Sequence, residues 1–148
     1  MLEILYPRRC AVCDEIEVTG KGICPLCKDK VHVAGEPACK KCGKPLVDER
    51  KEFCTDCGKK HHVYTQGKAV FVYEGGIRNS MYRFKYGNKR EYAEFYANAA
   101  VEKYGVWLNK IKAEVLIPIP MYSRKKRLRG YNQAEVFARE LGRKAGIL

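Results

Sequence analysis

The sequence has no apolar run near the roughly 20 residues that a membrane-spanning helix needs, and it has no cysteine after residue 57. Met1 to Tyr6 are followed at once by Pro7-Arg8-Arg9, so the start has no apolar stretch like that of a secretory signal. In the cytoplasm cysteines stay reduced, and paired cysteines there serve as metal ligands more often than as disulfides. These absences predict a cytoplasmic protein without a membrane span, and they argue against a secreted disulfide scaffold.

Acidic residues are scarce after residue 62. The 148 residues carry a formal charge of +12, and residues 63–148 hold 17 Lys and Arg against 7 Asp and Glu, which is +10. Residues 1–62 carry +2, and two zinc ions, each held by four thiolates, would change this value to about −2. The positive second part predicts attraction to phosphate, either on a nucleotide or along a nucleic acid.

Eight cysteines form four Cys-x-x-Cys pairs at nearly constant steps along the first 57 residues. Such a pair forms a tight turn that directs both sulfurs to one point, and two pairs complete a tetrahedral thiolate cage. The array predicts two structural zinc ions, with iron as the less common alternative. Sequential pairing, in which the first two pairs share an ion, is favoured over cross-brace pairing, in which the first pair joins the third. The predicted ligands are Cys10, Cys13, Cys24, Cys27, Cys39, Cys42, Cys54 and Cys57.

The cysteine-rich segment, residues 1–60, is too short to bury a large core. It is predicted to form zinc-stabilised β-hairpins of the zinc-ribbon type, which metal chelation should unfold while the second part is less affected. Gly43 and Gly58 follow the third and fourth pairs, where glycine supplies the positive φ that turns backbone N–H groups toward sulfur. Residues 61–68 are predicted to be a linker with exposed His61 and His62, although these histidines are an alternative source of zinc ligands.

Residues 69–148 are predicted to alternate strands and helices. The apolar run 69–73 predicts a strand, and apolar spacing predicts helices over 77–86, 89–104 and 133–145. Tyr92, Phe95 and Tyr96 are expected in the core, with a nucleic-acid stacking face as the alternative. The nearly all-apolar run 115–119 predicts a central parallel strand buried on both faces, and a ligand is expected beyond its carboxyl end.

The cationic stretch after that strand is predicted to be a phosphate-binding loop. Gly130 lets the backbone approach a ligand closely, and Asn132 is the predicted N-cap, with Glu135 completing a capping box. The unpaired N–H groups of a helix start attract anions, and guanidinium groups fork onto phosphate oxygens. A solvated basic turn without a ligand is the alternative. The candidate phosphate- or pyrophosphate-binding residues are Arg124, Lys125, Lys126, Arg127, Arg129, Gly130, Asn132 and Gln133.

Several motifs together resemble the bacterial ComF family over essentially the whole chain. They are Tyr6-Pro7-x-x-Cys10-x-x-Cys13, the later cysteine pairs with Gly43, Ile117-Pro118-Ile119-Pro120, and Arg129-Gly130-Tyr131-Asn132-Gln133-Ala134. ComF-like proteins join an N-terminal double zinc ribbon to a type I phosphoribosyltransferase domain. They are linked to natural competence, in which imported single-stranded DNA reaches the cytoplasm. The resemblance implies a double zinc ribbon at 1–60, a linker at 61–68, and the N-terminal part of a phosphoribosyltransferase-like α/β domain at 69–148.

The sequence departs from the family pattern toward its end. Type I phosphoribosyltransferases bind phosphoribosyl pyrophosphate with a hydrophobic strand, two adjacent acids and a T-T-G-like loop, and these 148 residues contain no Asp-Asp pair and no such loop. The resemblance therefore implies only the part of the ligand-binding site that contacts the pyrophosphate. Binding of Mg²⁺ with phosphoribosyl pyrophosphate is expected only in a full-length form. The chain is expected to be a fragment or a naturally short relative, inactive alone, with an exposed apolar sheet edge that favours self-association.

Three functions fit these features. The first is an accessory protein of DNA uptake that binds single-stranded DNA or another phosphate-bearing ligand, with competence proteins as partners. The second is a phosphoribosyltransferase that, in full-length form, acts on an unknown acceptor. The third is a structural zinc module that docks a protein partner.

Overall fold

The computed structural model describes residues 7–147, and this range is mostly helical. A short 3₁₀ helix covers Pro25–Lys30, and the α-helices are α1 Thr55–Lys59, α2 Gly75–Tyr86, α3 Tyr92–Lys110, α4 Ser123–Arg129 and α5 Gln133–Ala145. Between residues 7 and 147, strand-like pairing is limited to single antiparallel bridges, which join Arg9 to Ile16, Val33 to Phe71, and Ala38 to Pro45. No helix of this range has the length and apolar character that crossing a membrane requires.

The three long helices were predicted from apolar spacing, and all three are present. The helix predicted over 77–86 is α2, and the helix predicted over 133–145 is α5 with the same bounds. The helix predicted over 89–104 begins later, at Tyr92, and continues to Lys110. Its extension includes Leu108, which is buried, so the apolar pattern of the helix continues past the predicted end.

The predictions of strands at 69–73 and 115–119 are wrong for the part of the chain that the structure describes. Phe71 makes only a single bridge, and its ring stacks on Phe95 with the centroids 5.4 Å apart. In the run 115–119, Ile117 and Ile119 are 83% and 80% exposed, so the run is not buried on both faces. No neighbouring strand lies beside it in the described range, and a strand needs such a partner for its backbone groups. The predicted sheet edge is thus an extended segment without a sheet, and the α/β architecture of 69–148 stays a prediction.

The stretch predicted to be a cationic loop is the short helix α4. Arginine and lysine are good helix formers, and five of the seven α4 residues are cationic. The helix ends at Gly130, whose φ of +82° lies in the left-handed region and whose N–H bonds to the Lys126 carbonyl at 2.8 Å. The loop prediction overlooked this combination of helix-forming residues and a C-terminal glycine.

One core joins the first cysteine segment to the helices. Ala11 is fully buried and packs in the same cluster as Ile77, Phe84 and Tyr92. Burial is confirmed for the α3 aromatics predicted to lie in the core, since Tyr92, Phe95 and Tyr96 are 1%, 6% and 6% exposed. These rings are therefore not available as a stacking face for nucleic acid.

Candidate metal centres and basic surface

The eight cysteines lie in two groups of four, and the Sγ atoms within each group are all within 4.8 Å of one another. This arrangement is the sequential pairing, and His61 and His62 belong to neither group among the described residues. The first group is Cys10, Cys13, Cys24 and Cys27, and the second is Cys39, Cys42, Cys54 and Cys57.

The sulfur separations fit a bound metal rather than disulfides. The Sγ atoms of Cys13 and Cys24 are 3.8 Å apart, and those of Cys42 and Cys54 are 3.7 Å apart. Four Zn–S bonds of about 2.3 Å in a tetrahedron place the sulfurs roughly 3.8 Å apart, whereas a disulfide bond is about 2.05 Å long. Each group therefore has the ligand number and spacing of a closed structural zinc site.

Backbone N–H groups stabilise a thiolate in the first group. Burial disfavours ionisation of Cys10, but N–H groups of Cys24, Cys13 and Val12 outweigh it and lower the pKa of Cys10 to about 7. The N–H groups of Val12 and Cys24 each lie 3.4 Å from the Cys10 sulfur. A thiolate that is accessible near neutral pH favours metal binding, because zinc binds the deprotonated sulfur.

The second group has the same electrostatic design. Burial again opposes ionisation of Cys39, but N–H groups of Cys54, Cys42 and Lys41 lower its pKa to about 6. Burial and the neighbouring thiols raise the pKa of Cys57 to about 12, as they do for Cys27 in the first group. Four thiolates this close repel one another, and a dication between them offsets part of that repulsion. The donor chemistry of both groups therefore fits zinc.

The residues after the cysteine pairs shape the turns. Gly43 has a φ of +77°, as predicted, and its N–H bonds to the Cys39 carbonyl at 2.8 Å. The same prediction is wrong for Gly58, which lies inside helix α1. Asp14 occupies the corresponding place after the first pair with a φ of +68°, and its N–H bonds to the Cys10 carbonyl at 2.9 Å. Sequence reasoning missed Asp14, although its position directly after Cys13 matches that of Gly43 after the third pair.

Four of the eight predicted phosphate-binding residues are exposed cations on α4, namely Arg124, Lys125, Lys126 and Arg127. The Nζ atom of Lys126 lies 3.2 Å from a carboxylate oxygen of Glu135. Within residues 7–147, the side chains of Arg124, Lys125 and Arg127 have no hydrogen-bonding or acidic partner. The structure therefore presents three unpaired cations within four residues of the chain.

The other four predicted residues have partners within the chain. The Arg129 guanidinium donates a hydrogen bond to the side-chain oxygen of Gln133, and the Gly130 carbonyl accepts one from Arg90 at 3.2 Å. Asn132 is 6% exposed and caps α5, since its Oδ1 accepts a hydrogen bond from the N–H of Ala134 at 3.0 Å. The predicted N-cap is thus confirmed, and phosphate binding by these residues stays a prediction.

The predicted capping box is not formed. The carboxylate of Glu135 accepts hydrogen bonds from Lys126 at 3.2 Å and from Arg139 at 3.3 Å rather than from the backbone of Asn132. The nearby cations compete for this carboxylate, and they add a Coulombic attraction between opposite charges that a neutral N–H does not offer. Glu135 therefore neutralises part of the charge between α4 and α5.

Two exposed tyrosines on α2 were not singled out from the sequence. Tyr82 and Tyr86 lie on α2 and are 65% and 62% exposed, whereas Ile77 and Phe84 of the same helix are buried. The signal was available, because residues 82 and 86 are four apart and fall on the helix face opposite residues 77, 81 and 84.

Comparison with known proteins supports the interpretation of the cysteine-rich segment as a zinc-binding domain. Residues 1–58 match the family model of the double zinc ribbon domain, and the match includes both four-cysteine groups. No curated protein and no solved structure matches the chain. The N-terminal segment is therefore a double zinc ribbon domain with two four-cysteine sites that fit two zinc ions.

Proposed function

We propose that the chain is a ComF-like accessory protein of DNA uptake, in which a double zinc ribbon supports a basic helical part that binds single-stranded nucleic acid. The observation that carries the proposal is the exposed side of α4, where Arg124, Lys125 and Arg127 have no partner among the described residues. Lysine and arginine side chains of this kind neutralise backbone phosphates and release counterions. The role belongs in the cytoplasm, where the zinc-binding cysteines stay reduced.

The distribution of charge supports this division of labour. Residues 63–148 have a formal charge of +10, whereas residues 1–62 with two thiolate-bound zinc ions carry about −2. A phosphate chain is therefore attracted to the helical part and not to the zinc ribbon. The zinc sites serve as structural supports, since four protein ligands per ion leave no open position for a substrate.

The phosphoribosyltransferase alternative has less support in these residues. Residues 63–148 contain no aspartate and no two adjacent glutamates, so they do not supply the adjacent acids that such an enzyme uses to bind phosphoribosyl pyrophosphate. The start of α5, predicted to meet the pyrophosphate, is capped by Asn132 of the same chain. We therefore propose binding rather than catalysis for these 148 residues.

Titration of a fluorescently labelled oligo-dT strand at rising salt concentration tests the proposal. Each phosphate that the protein neutralises adds about −0.7 to the slope of log K against log salt for a single strand. Replacing Arg124, Lys125 and Arg127 together by Gln is expected to weaken binding and to make that slope less negative by about 2. The exposed side chains of Lys51, Lys59 and Lys60, replaced together by Gln, provide a zinc-ribbon control with the same change in charge.

The control variant is expected to keep most of the wild-type salt dependence. Two results would contradict the proposal: an affinity that does not change with salt, or equal losses from the α4 variant and the zinc-ribbon variant.

A further inference from the structure

Tyr82 and Tyr86 form an exposed aromatic pair that core packing does not explain. They are one turn apart on α2, and their ring centroids lie 5.0 Å from each other. Both rings are more than 60% exposed, at 65% and 62%, so they forgo most of the stabilisation that a buried tyrosine provides. Exposed aromatic rings beside cations are typical of surfaces on which bases of a single strand stack.

Tyr86 forms one wall of an open cavity of about 440 Å³ between the end of α2 and α4. The other walls are Asn88, Lys125, Leu128 and Arg129. Leu128 is 83% exposed and adds an apolar surface, while the lysine and the arginine add positive charge. The lining therefore suits a flat, largely apolar ring that carries a phosphate.

Arg129 is held in place at this cavity. The guanidinium carbon lies 4.8 Å from the centroid of the Tyr86 ring, and the guanidinium also donates a hydrogen bond to Gln133. A planar guanidinium held against an aromatic face offers a second surface for stacking and a fork for phosphate oxygens. Its position is fixed before any ligand arrives, which lowers the entropic cost of binding.

We infer that Tyr82, Tyr86 and Arg129 form a stacking site for an unpaired nucleobase of a single strand, and that Lys125 binds the adjacent phosphate. This inference rests on the proposed function and adds a base-contacting site to it. Every base has a π-face, so the site is expected to accept strands of any sequence. Its aromatic rings and the Arg129 guanidinium contact the base, whereas the α4 cations Arg124, Lys125 and Arg127 contact the phosphates.

A free nucleotide carries the same ring and phosphate, but the surroundings of the cavity favour a strand. Arg124 and Arg127 are exposed cations of the same helix and lie outside the cavity walls. A strand whose base occupies the cavity brings further phosphates to these cations, whereas a mononucleotide has none to offer. The strand is therefore expected to bind more tightly than its monomer.

The test compares an oligo-dT strand with an abasic strand of equal length and charge, using fluorescence anisotropy at one low salt concentration. Tyr82→Leu/Tyr86→Leu is expected to weaken oligo-dT binding roughly fivefold or more, the effect of losing one stacked base. The same variant is expected to bind the abasic strand as the wild type does. Tyr86→Phe keeps the ring and is expected to bind oligo-dT far better than Tyr86→Leu.

Tyr73→Leu is the matched control, because Tyr73 is 62% exposed and precedes the opposite end of α2. If the double tyrosine variant binds oligo-dT like the wild type while the α4 triple variant loses its salt-dependent binding, the stacking site is wrong and the proposed function stands. If the wild type binds neither strand, both are wrong. Binding of dTMP as tightly as oligo-dT overturns the assignment to a strand.

Discussion

The residue after each cysteine pair determines how the chain leaves the metal site. Gly43 adopts the left-handed conformation. There is also no room for a side chain, because a Cβ atom at this position would lie 2.6 Å from the Ala69 nitrogen. Gly58 follows the fourth pair in the same way but lies in α1, and a Cβ atom there would meet nothing within 4 Å. Two glycines with the same place in the sequence pattern thus have different structural roles.

Gly43→Ala is therefore expected to lower the free energy of unfolding by about 1–3 kcal/mol, the usual cost of a strained backbone conformation. Gly58→Ala is expected to be neutral or to stabilise by up to about 1 kcal/mol, since alanine is the better helix former. Denaturant unfolding of the zinc-loaded variants measures both changes.

Gly20→Ala separates backbone strain from steric clash, because Gly20 has a φ of +71° and open space around its Cα. We expect its loss of stability to lie between those of the other two variants. Equal stability of Gly43→Ala and Gly58→Ala would contradict this account of the turn.

At the scale of elements, the helices could be predicted from the sequence and the strands could not. A helix satisfies its own backbone, so the spacing of Ile77, Met81 and Phe84 is sufficient to indicate α2. A strand depends on a partner elsewhere in the chain, and the run 115–119 has none among the described residues. Its apolar composition therefore predicted a buried strand, but no neighbouring strand covers the run among the described residues.

Asn132 connects this extended run to α5. Its Oδ1 caps the helix at Ala134, and its Nδ2 donates a hydrogen bond to the Ile119 carbonyl at 3.0 Å. Asn132→Ala removes both bonds from a site that is 6% exposed, so we expect a loss of about 1–3 kcal/mol in the free energy of unfolding. Thermal unfolding followed by circular dichroism measures this loss.

Asn132→Asp is the matched variant, because a carboxylate keeps the cap but cannot donate to the Ile119 carbonyl. Cleavage of residues 115–120 by a broad-specificity protease is expected to accelerate in both variants, because both lose the bond to the Ile119 carbonyl. Hydrogen exchange at the start of α5 is expected to accelerate only in Asn132→Ala, which also loses the cap. Unchanged cleavage of residues 115–120 in both variants would show that Asn132 does not hold this segment.

At the scale of the whole molecule, the metal sites could be predicted because each is local. All four ligands of the first site lie within residues 10–27, and all four of the second lie within 39–57. The cavity beside α4 brings Tyr86 to Arg129, which is 43 positions further along the chain. No short-range pattern indicates that contact, because it depends on how α2 and α4 are placed by the core.

The hydrophobic core shared by the zinc ribbon and the helices changes the expected effect of zinc removal on helix stability. Ala11 and the half-buried Ile23 and Val31, all from the first half of the zinc ribbon, pack with the helical cluster. The Tyr92 hydroxyl donates a hydrogen bond to the Asp14 carboxylate at 2.6 Å, directly beside the ligand Cys13. No residue of the second site belongs to that cluster within the described range. Loss of the first site should therefore reach the helices, whereas the sequence alone predicted only that metal removal affects the second part less than the first.

Cys13→Ser and Cys57→Ser each remove one ligand from one site, and each variant is expected to lose about one zinc ion per chain. We expect Cys13→Ser to destabilise the helices by about 2 kcal/mol or more, as a large core deletion does, because the segment around Ala11 loses its fixed shape. Cys57→Ser is expected to leave helical unfolding close to that of the wild type.

Far-UV circular dichroism on samples of known zinc content measures the difference. Equal helical destabilisation in the two variants would contradict a core shared with the first site alone, since both halves of the zinc ribbon would then support the helices.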